Sequence, residues 1–150
     1  YFSSPTYHVH YAEVEVDPVS GNVHVTRYVV AQDVGRVINS ACVRGQIQGA
    51  VAQSIGLSLY ESMRFAEDGN IIEANLQFYR LPLAVDIPRV EYVTMEQENS
   101  EGPFGAKGSG EAPVLLPAAV IANAVADAIG KRITKIPITP EDVLQALADT

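Results

Sequence analysis

The chain has 150 residues, the size of one domain, and its 47% apolar and 19% charged side chains supply a core and argue against global disorder. A net charge of −8, with ten basic residues scattered along the sequence, disfavours a phosphate-tracking nucleic-acid surface. Cys42 is the only cysteine, which excludes an intrachain disulfide or an all-cysteine metal site, and no apolar run reaches the ~20 residues that span a bilayer.

Residues 9–16 alternate apolar and polar, the period of a half-buried strand. Asp17-Pro18-Val19-Ser20-Gly21-Asn22 carries turn chemistry, and residues 23–31 read as a second strand, so the pair predicts an antiparallel hairpin. The strand breaks at Asp33-Val34-Gly35. His8, His10 and His24 lie on this hairpin as ordinary strand histidines, with no metal-ligand spacing.

Ser40 is the expected N-cap of a helix from about Ala41 to Glu61. Val43, Ile47, Val51, Ile55 and Leu59 recur every four residues and form its core stripe. Gln46, Gly49, Gln53 and Gly56 form a second stripe on another face. Each of the three glycines at 45, 49 and 56 costs about 1 kcal/mol against alanine in a helix interior. Either close packing or a polar ligand held by the two amides would require so smooth a face. Cys42, in the first turn, reads as a small buried hydrophobe.

A second hairpin is expected around Glu67-Asp68-Gly69-Asn70, followed by an extended crossing interrupted by Pro82 and Pro88. Residues 90–95 predict another strand. Residues 96–112 are polar, glycine-rich and aperiodic, the length of connection that often carries function. Pro117 starts a helix to about Ile129, with Val120, Ala124 and Ala128 on one side and Gly130 as terminator. Thr139-Pro140-Glu141-Asp142 opens a last helix docked by Val143, Leu144 and Leu147. The fold class is α+β, antiparallel hairpins with interleaved helices.

Within 105–113, Gly105, Gly108 and Gly110 precede Glu111. The order fits neither the phosphate-loop pattern nor GxGxxG, since Lys107 precedes the last two glycines. Such a backbone can still offer N–H groups to a ligand and aim a carboxylate at it.

Four blocks, in order, resemble one family: DVGRVINSACVRGQIQGAVAQSIG (33–56), YRLPLAVDIP (79–88), GAKGSGEAPV (105–114) and AAVIANAVADAIGKRITKIPITPEDVLQAL (118–147). They are similar to the C-terminal part of the molybdenum-binding large subunit of the xanthine dehydrogenase / aldehyde oxidase / carbon monoxide dehydrogenase family. The resemblance implies that residues 1–150 are the C-terminal portion of a molybdenum-cofactor-binding domain, a fragment or short subunit. It implies molybdenum-molybdopterin, in the cytosine dinucleotide form, and [2Fe–2S] clusters and FAD on partner chains or domains. Water-derived hydroxylation of an aldehyde or N-heterocycle, in the cytoplasm, is the implied reaction. The implied partners are the remainder of the large subunit, an iron–sulfur subunit and a FAD subunit.

By the same resemblance Glu111 is the general base. Gln53 contacts the cofactor, Gln46 and Gly49 share its stripe, and Gly108, Ser109 and Gly110 bring backbone N–H groups toward it. No residue ligates the metal directly. Ser40, Ser54 and Ala112 depart from the family pattern, which often has Pro, Gly and Pro there. A non-catalytic cofactor-binding or assembly domain on the same fold is the alternative. The 150-residue chain alone is expected to be inactive.

Overall fold

In the computed structural model, residues 4–97 and 101–149 are described. Three strands form one sheet in the order β1 (His8–Val16), β2 (Val23–Asp33), β3 (Val90–Met95). The first hairpin is antiparallel as expected, whereas β3 runs parallel to β2. A parallel neighbour needs a crossover, and α1 (Ser40–Leu59) with the extended segment after it provides one. α2 (Pro117–Ile129) and α3 (Pro140–Ala148) complete the α+β architecture.

The turn between β1 and β2 is built by Asp17. One carboxylate oxygen accepts the Val19 N–H at 2.9 Å and the other accepts the Ser20 hydroxyl at 2.6 Å. These bonds hold the carboxyl below its ordinary range. Gly21 sits at φ +74°, and a Cβ there would lie 2.2 Å from the Pro140 carbonyl, so the turn also seats the start of α3. Further along, Arg27 pairs with Glu13 and Val25 with Val14, leaving Thr26 as an extra residue. This bulge resets the alternation, and both Val25 and Tyr28 face the core.

One core cluster draws on the sheet and all three helices: Val25, Tyr28 and Val30 meet Ile47, Val51 and Ile55 of α1, Ile121 and Val125 of α2, and Val143 of α3. The α1 stripe is buried as expected. Its N-cap is Asn39 rather than Ser40. Asn39 is extended, at φ −140°, and its side chain accepts the Cys42 N–H at 3.0 Å, while Ser40 is already helical. On α2 the buried line is Pro117, Ile121 and Val125, one residue on from the expected side, because β1 and α1 approach α2 from that direction. Gly130 ends α2 in the left-handed region at φ +73°. α3 opens with the expected Thr139–Asp142 capping box.

The second hairpin shrinks to a single bridge, Phe65 to Ile71. Asp68 accepts from the Asn70 backbone and amide, so the turn forms where expected. Beyond it, Ile72, Leu76 and Phe78 are exposed and build no ladder. Residues 112–129 form the one apolar stretch, among the described residues, long enough by composition to cross a membrane. Only 117–129 of it is α-helical, about 20 Å at ~1.5 Å per residue against a bilayer core of ~30 Å.

His8 and His10 share the inner face of β1 with their rings 5.5 Å apart, and His10 Nδ1 lies 3.1 Å from the Tyr28 hydroxyl. Burial, then the neighbouring His8, lowers the His10 pKa to about 4. A histidine lowered in the folded state disfavours the proton that the unfolded chain accepts below pH ~6.5. Folding stability should therefore be full above pH 6.5 and decline as pH falls toward 4. Denaturant midpoints across that window check this, and His10→Leu should flatten the slope.

Candidate functional site

The polar stripe of α1 faces outward. Gln46, Gly49 and Gln53 are exposed on one side of the helix, and neither amide bonds to another described side chain. Gly56, the fourth member, behaves differently. It is buried, and a Cβ there would meet Glu61 Oε1 at 1.9 Å and Pro82 at 2.9 Å. Packing within the chain therefore accounts for Gly56. At Gly45 and Gly49 an added Cβ would meet nothing within 4 Å. Neither has a positive φ, so neither internal packing nor backbone conformation requires glycine there.

The glycine-rich loop approaches this helix from the end of β2. Gly35, at φ +56°, bridges Ala106, and the backbone pairs Arg36 N–H with Gly105 O and Lys107 N–H with Val34 O, both at 2.9 Å. A Cβ on Gly35 would lie 2.3 Å from the Gly105 carbonyl. Lys107 Nζ reaches Asp33 Oδ2 at 2.5 Å, with side-chain exposures of only 8% and 1%. Burial alone would raise the Asp33 pKa. The Lys107 hydrogen bond and the Gly35 N–H outweigh it and keep the carboxyl ionised below its ordinary range.

Beyond Lys107, Gly108 and Gly110 are exposed, and neither would clash with a Cβ. Ser109 is half-buried. It lines a cavity of about 190 Å³ with Arg36, Asn39, Cys42, Val43 and Lys107 at the start of α1. Cys42 is exposed rather than buried, because Val43 takes the core position of that turn. Glu111 is exposed and precedes a 3-10 turn (Ala112–Val114) that packs on α1. Its side chain caps nothing, so support of a helix start does not account for it. Ser54, fully buried, donates to the Val114 carbonyl at 3.3 Å, about three turns beyond Cys42 along α1. The side chain that departs from the family pattern is thus accommodated as a tether.

The structure sets Ser109 beside the start of α1 and Glu111 just before the turn that packs on the same helix, while Gln46, Gly49 and Gln53 lie on its exposed face. The sequence reading missed Asp33 and Ser54 as supports of that arrangement. The signal for Asp33 was an acid directly after the run Tyr28–Gln32, which is apolar but for Gln32, and just before Gly35. Among the described residues no group of three or more His, Cys, Asp or Glu side chains comes together to hold a metal.

Residues 1–88 match the molybdopterin cofactor-binding domain family. The chain is 40% identical, over 91% of its length, to the 6-hydroxypseudooxynicotine dehydrogenase complex subunit gamma of Paenarthrobacter nicotinovorans, covering 18% of that protein. It is 38% identical, over 94% of its length, to the aldehyde oxidoreductase of Megalodesulfovibrio gigas, covering 15% of it. The structure superposes on quinoline 2-oxidoreductase from Pseudomonas putida 86 with a TM-score of 0.89 and 32% identity, covering 93% of this chain and 18% of that one. The protein belongs to the molybdopterin cofactor-binding domain family, related to xanthine dehydrogenase and aldehyde oxidoreductase. It spans less than a fifth of the length of the relatives described here.

Proposed function

We propose that this chain is the C-terminal portion of the cofactor-binding domain of a molybdenum hydroxylase, and that it supplies part of the cofactor pocket and the catalytic base. The observation that carries the reading is the set of four glycines, Gly45, Gly49, Gly108 and Gly110, that face open space and meet nothing among the described residues that would require them. Gly45 and Gly49, in the helix, cost stability without any internal return, which points to an occupant outside the chain.

The residues present fit molybdopterin. The Gln46 and Gln53 amides can both donate to its oxygens and accept from its ring N–H groups. Gly49, between them on the stripe, adds no side chain to that face. Gly108, Ser109 and Gly110 place backbone N–H groups without side chains in the way. When bound, the molybdenum-molybdopterin, here taken as the cytosine dinucleotide form, supplies the oxygen-transfer and electron-accepting chemistry. Glu111 would accept at a carboxylate oxygen a proton that water gives up, the role in which a positioned base contributes roughly 100- to 10,000-fold. The overall change is R–H plus water to R–OH, with two protons and two electrons released. [2Fe–2S] clusters and FAD on partner chains or domains would accept the electrons. An aldehyde or N-heterocycle is the proposed substrate class, in keeping with the names of the aldehyde oxidoreductase and quinoline 2-oxidoreductase relatives. The remainder of the large subunit completes the pocket, and the cytoplasm is the proposed compartment.

Gly49→Ala tests the reading in two directions. Without cofactor, the protein should become more stable by about 0.5–1 kcal/mol, because the added methyl meets open space and favours the helix. In the assembled enzyme the same change should lower molybdenum content, read by metal analysis of the purified complex. If cofactor-free stability falls instead, the glycine serves the fold and the stripe is not a cofactor face.

A further inference from the structure

The loop that carries Glu111 is fastened on both sides, while the Glu111 side chain is exposed and bonds to no other described residue, its carbonyl alone accepting the Val114 N–H at 3.1 Å. Upstream, residues 105–107 are stitched to residues 34–36 by two backbone hydrogen bonds of 2.9 Å. The Asp33–Lys107 ion pair locks that stitch from inside. Asp33 Oδ2 takes Lys107 Nζ at 2.5 Å and Oδ1 takes the Gly35 N–H at 2.9 Å, so one buried carboxylate holds both partners of the stitch. Downstream, Ser54 donates to the Val114 carbonyl at 3.3 Å, and the Ser58 hydroxyl donates to the Ser54 carbonyl at 2.5 Å. Between the fastenings lie Gly108, Ser109 and Gly110, which have little or no side chain to anchor them. The Glu111 carboxylate accepts no bond to the helix start behind it. Its direction is therefore set by where the two fastenings hold the backbone.

We propose that Asp33, Lys107 and Ser54 are positioning residues that aim Glu111 by clamping its loop between the end of β2 and the middle of α1. The proposal rests on Glu111 being the base. A base held within about 1 Å of its productive place loses up to roughly 100-fold when displaced. Removing a fastening should thus slow turnover without changing how substrate or cofactor is held. The ion pair cannot be tested one residue at a time, since a lone buried charge destabilises the whole domain. Asp33→Asn with Lys107→Met removes both charges, keeps an acceptor for the Gly35 N–H and preserves the apolar stem. Ser54→Ala removes only the hydroxyl, and Ser54→Thr restores it.

The experiment uses the complete enzyme with its partner subunits. Molybdenum content, kcat, KM and amide hydrogen exchange at residues 108–111 are measured for Ser54→Ala, Ser54→Thr and the double variant, with Glu111→Gln as reference. Ser54→Ala and the double variant should exchange faster at 108–111 and lose roughly 10- to 100-fold in kcat, with KM and molybdenum nearly unchanged. Ser54→Thr should recover most of the loss. Unchanged exchange and kcat in both loosened variants, beside an inactive Glu111→Gln, overturn the clamp and leave the base assignment standing. An active Glu111→Gln overturns the base assignment, while the exchange rates still report whether the loop is clamped. Loss of fold or of molybdenum in Ser54→Ala also overturns the clamp, since the serine would then hold the domain rather than aim one side chain.

Discussion

Glu111→Gln in the complete enzyme should keep its molybdenum and its fold and lose roughly 100- to 10,000-fold in turnover. The substitution is nearly isosteric, and the carboxylate, exposed and capping no helix, has no bond to lose among the described residues. Stability should therefore stay within about 0.5 kcal/mol of the parent, as for other surface changes. The amide cannot accept the proton that the carboxylate accepts, so the whole effect should fall on the chemical step. Turnover with an aldehyde or N-heterocycle and a dye acceptor, alongside metal analysis, separates the two. A fully loaded variant with parental turnover would remove Glu111 from the mechanism.

The second large effect belongs to the core. Ile47→Ala should destabilise the protein by about 2–5 kcal/mol, the range for deleting a buried branched side chain and leaving part of its cavity. Ile47 is fully buried and packs in a cluster that joins the sheet to all three helices. Domain stability is typically about 5–15 kcal/mol, so this one change would remove a large share. Gln46→Ala, at the preceding residue, should leave cofactor-free stability unchanged within about 0.5 kcal/mol. Its side chain is exposed, so only cofactor retention should respond. Denaturant midpoints of the cofactor-free protein compare the two directly. Equal sensitivity at both positions would mean that the two faces of α1 do not divide core from ligand.

The division of α1 into a buried and an exposed face was legible in the sequence because helical period alone separates Val43, Ile47, Val51, Ile55 and Leu59 from Gln46, Gly49 and Gln53. What the sequence could not say was which glycines serve the fold. Gly56 and Gly49 look alike on a helical wheel, but only Gly56 has a neighbour, Glu61 with Pro82, that a Cβ would strike. The direction of β3 was equally hidden. Residues 90–95 alternate as they would in either orientation, and the crossover through α1 decides for parallel. The cap at Asn39 was missed because Asn and Ser are both good caps, and the choice depends on which residue is extended.

Local pattern determined the first hairpin, the extents of α2 and α3, the core face of α1 and, through the ordered blocks, the family. Each depends on residues a few positions apart, whose periodicity and turn chemistry are written along the chain. The tertiary structure alone decided how the loop on either side of Glu111 is fastened. Asp33 and Lys107 are 74 residues apart, and Ser54 and the Val114 carbonyl 60 apart. Contacts over such separations arise only when sheet, helix and loop have packed, and no local period encodes them.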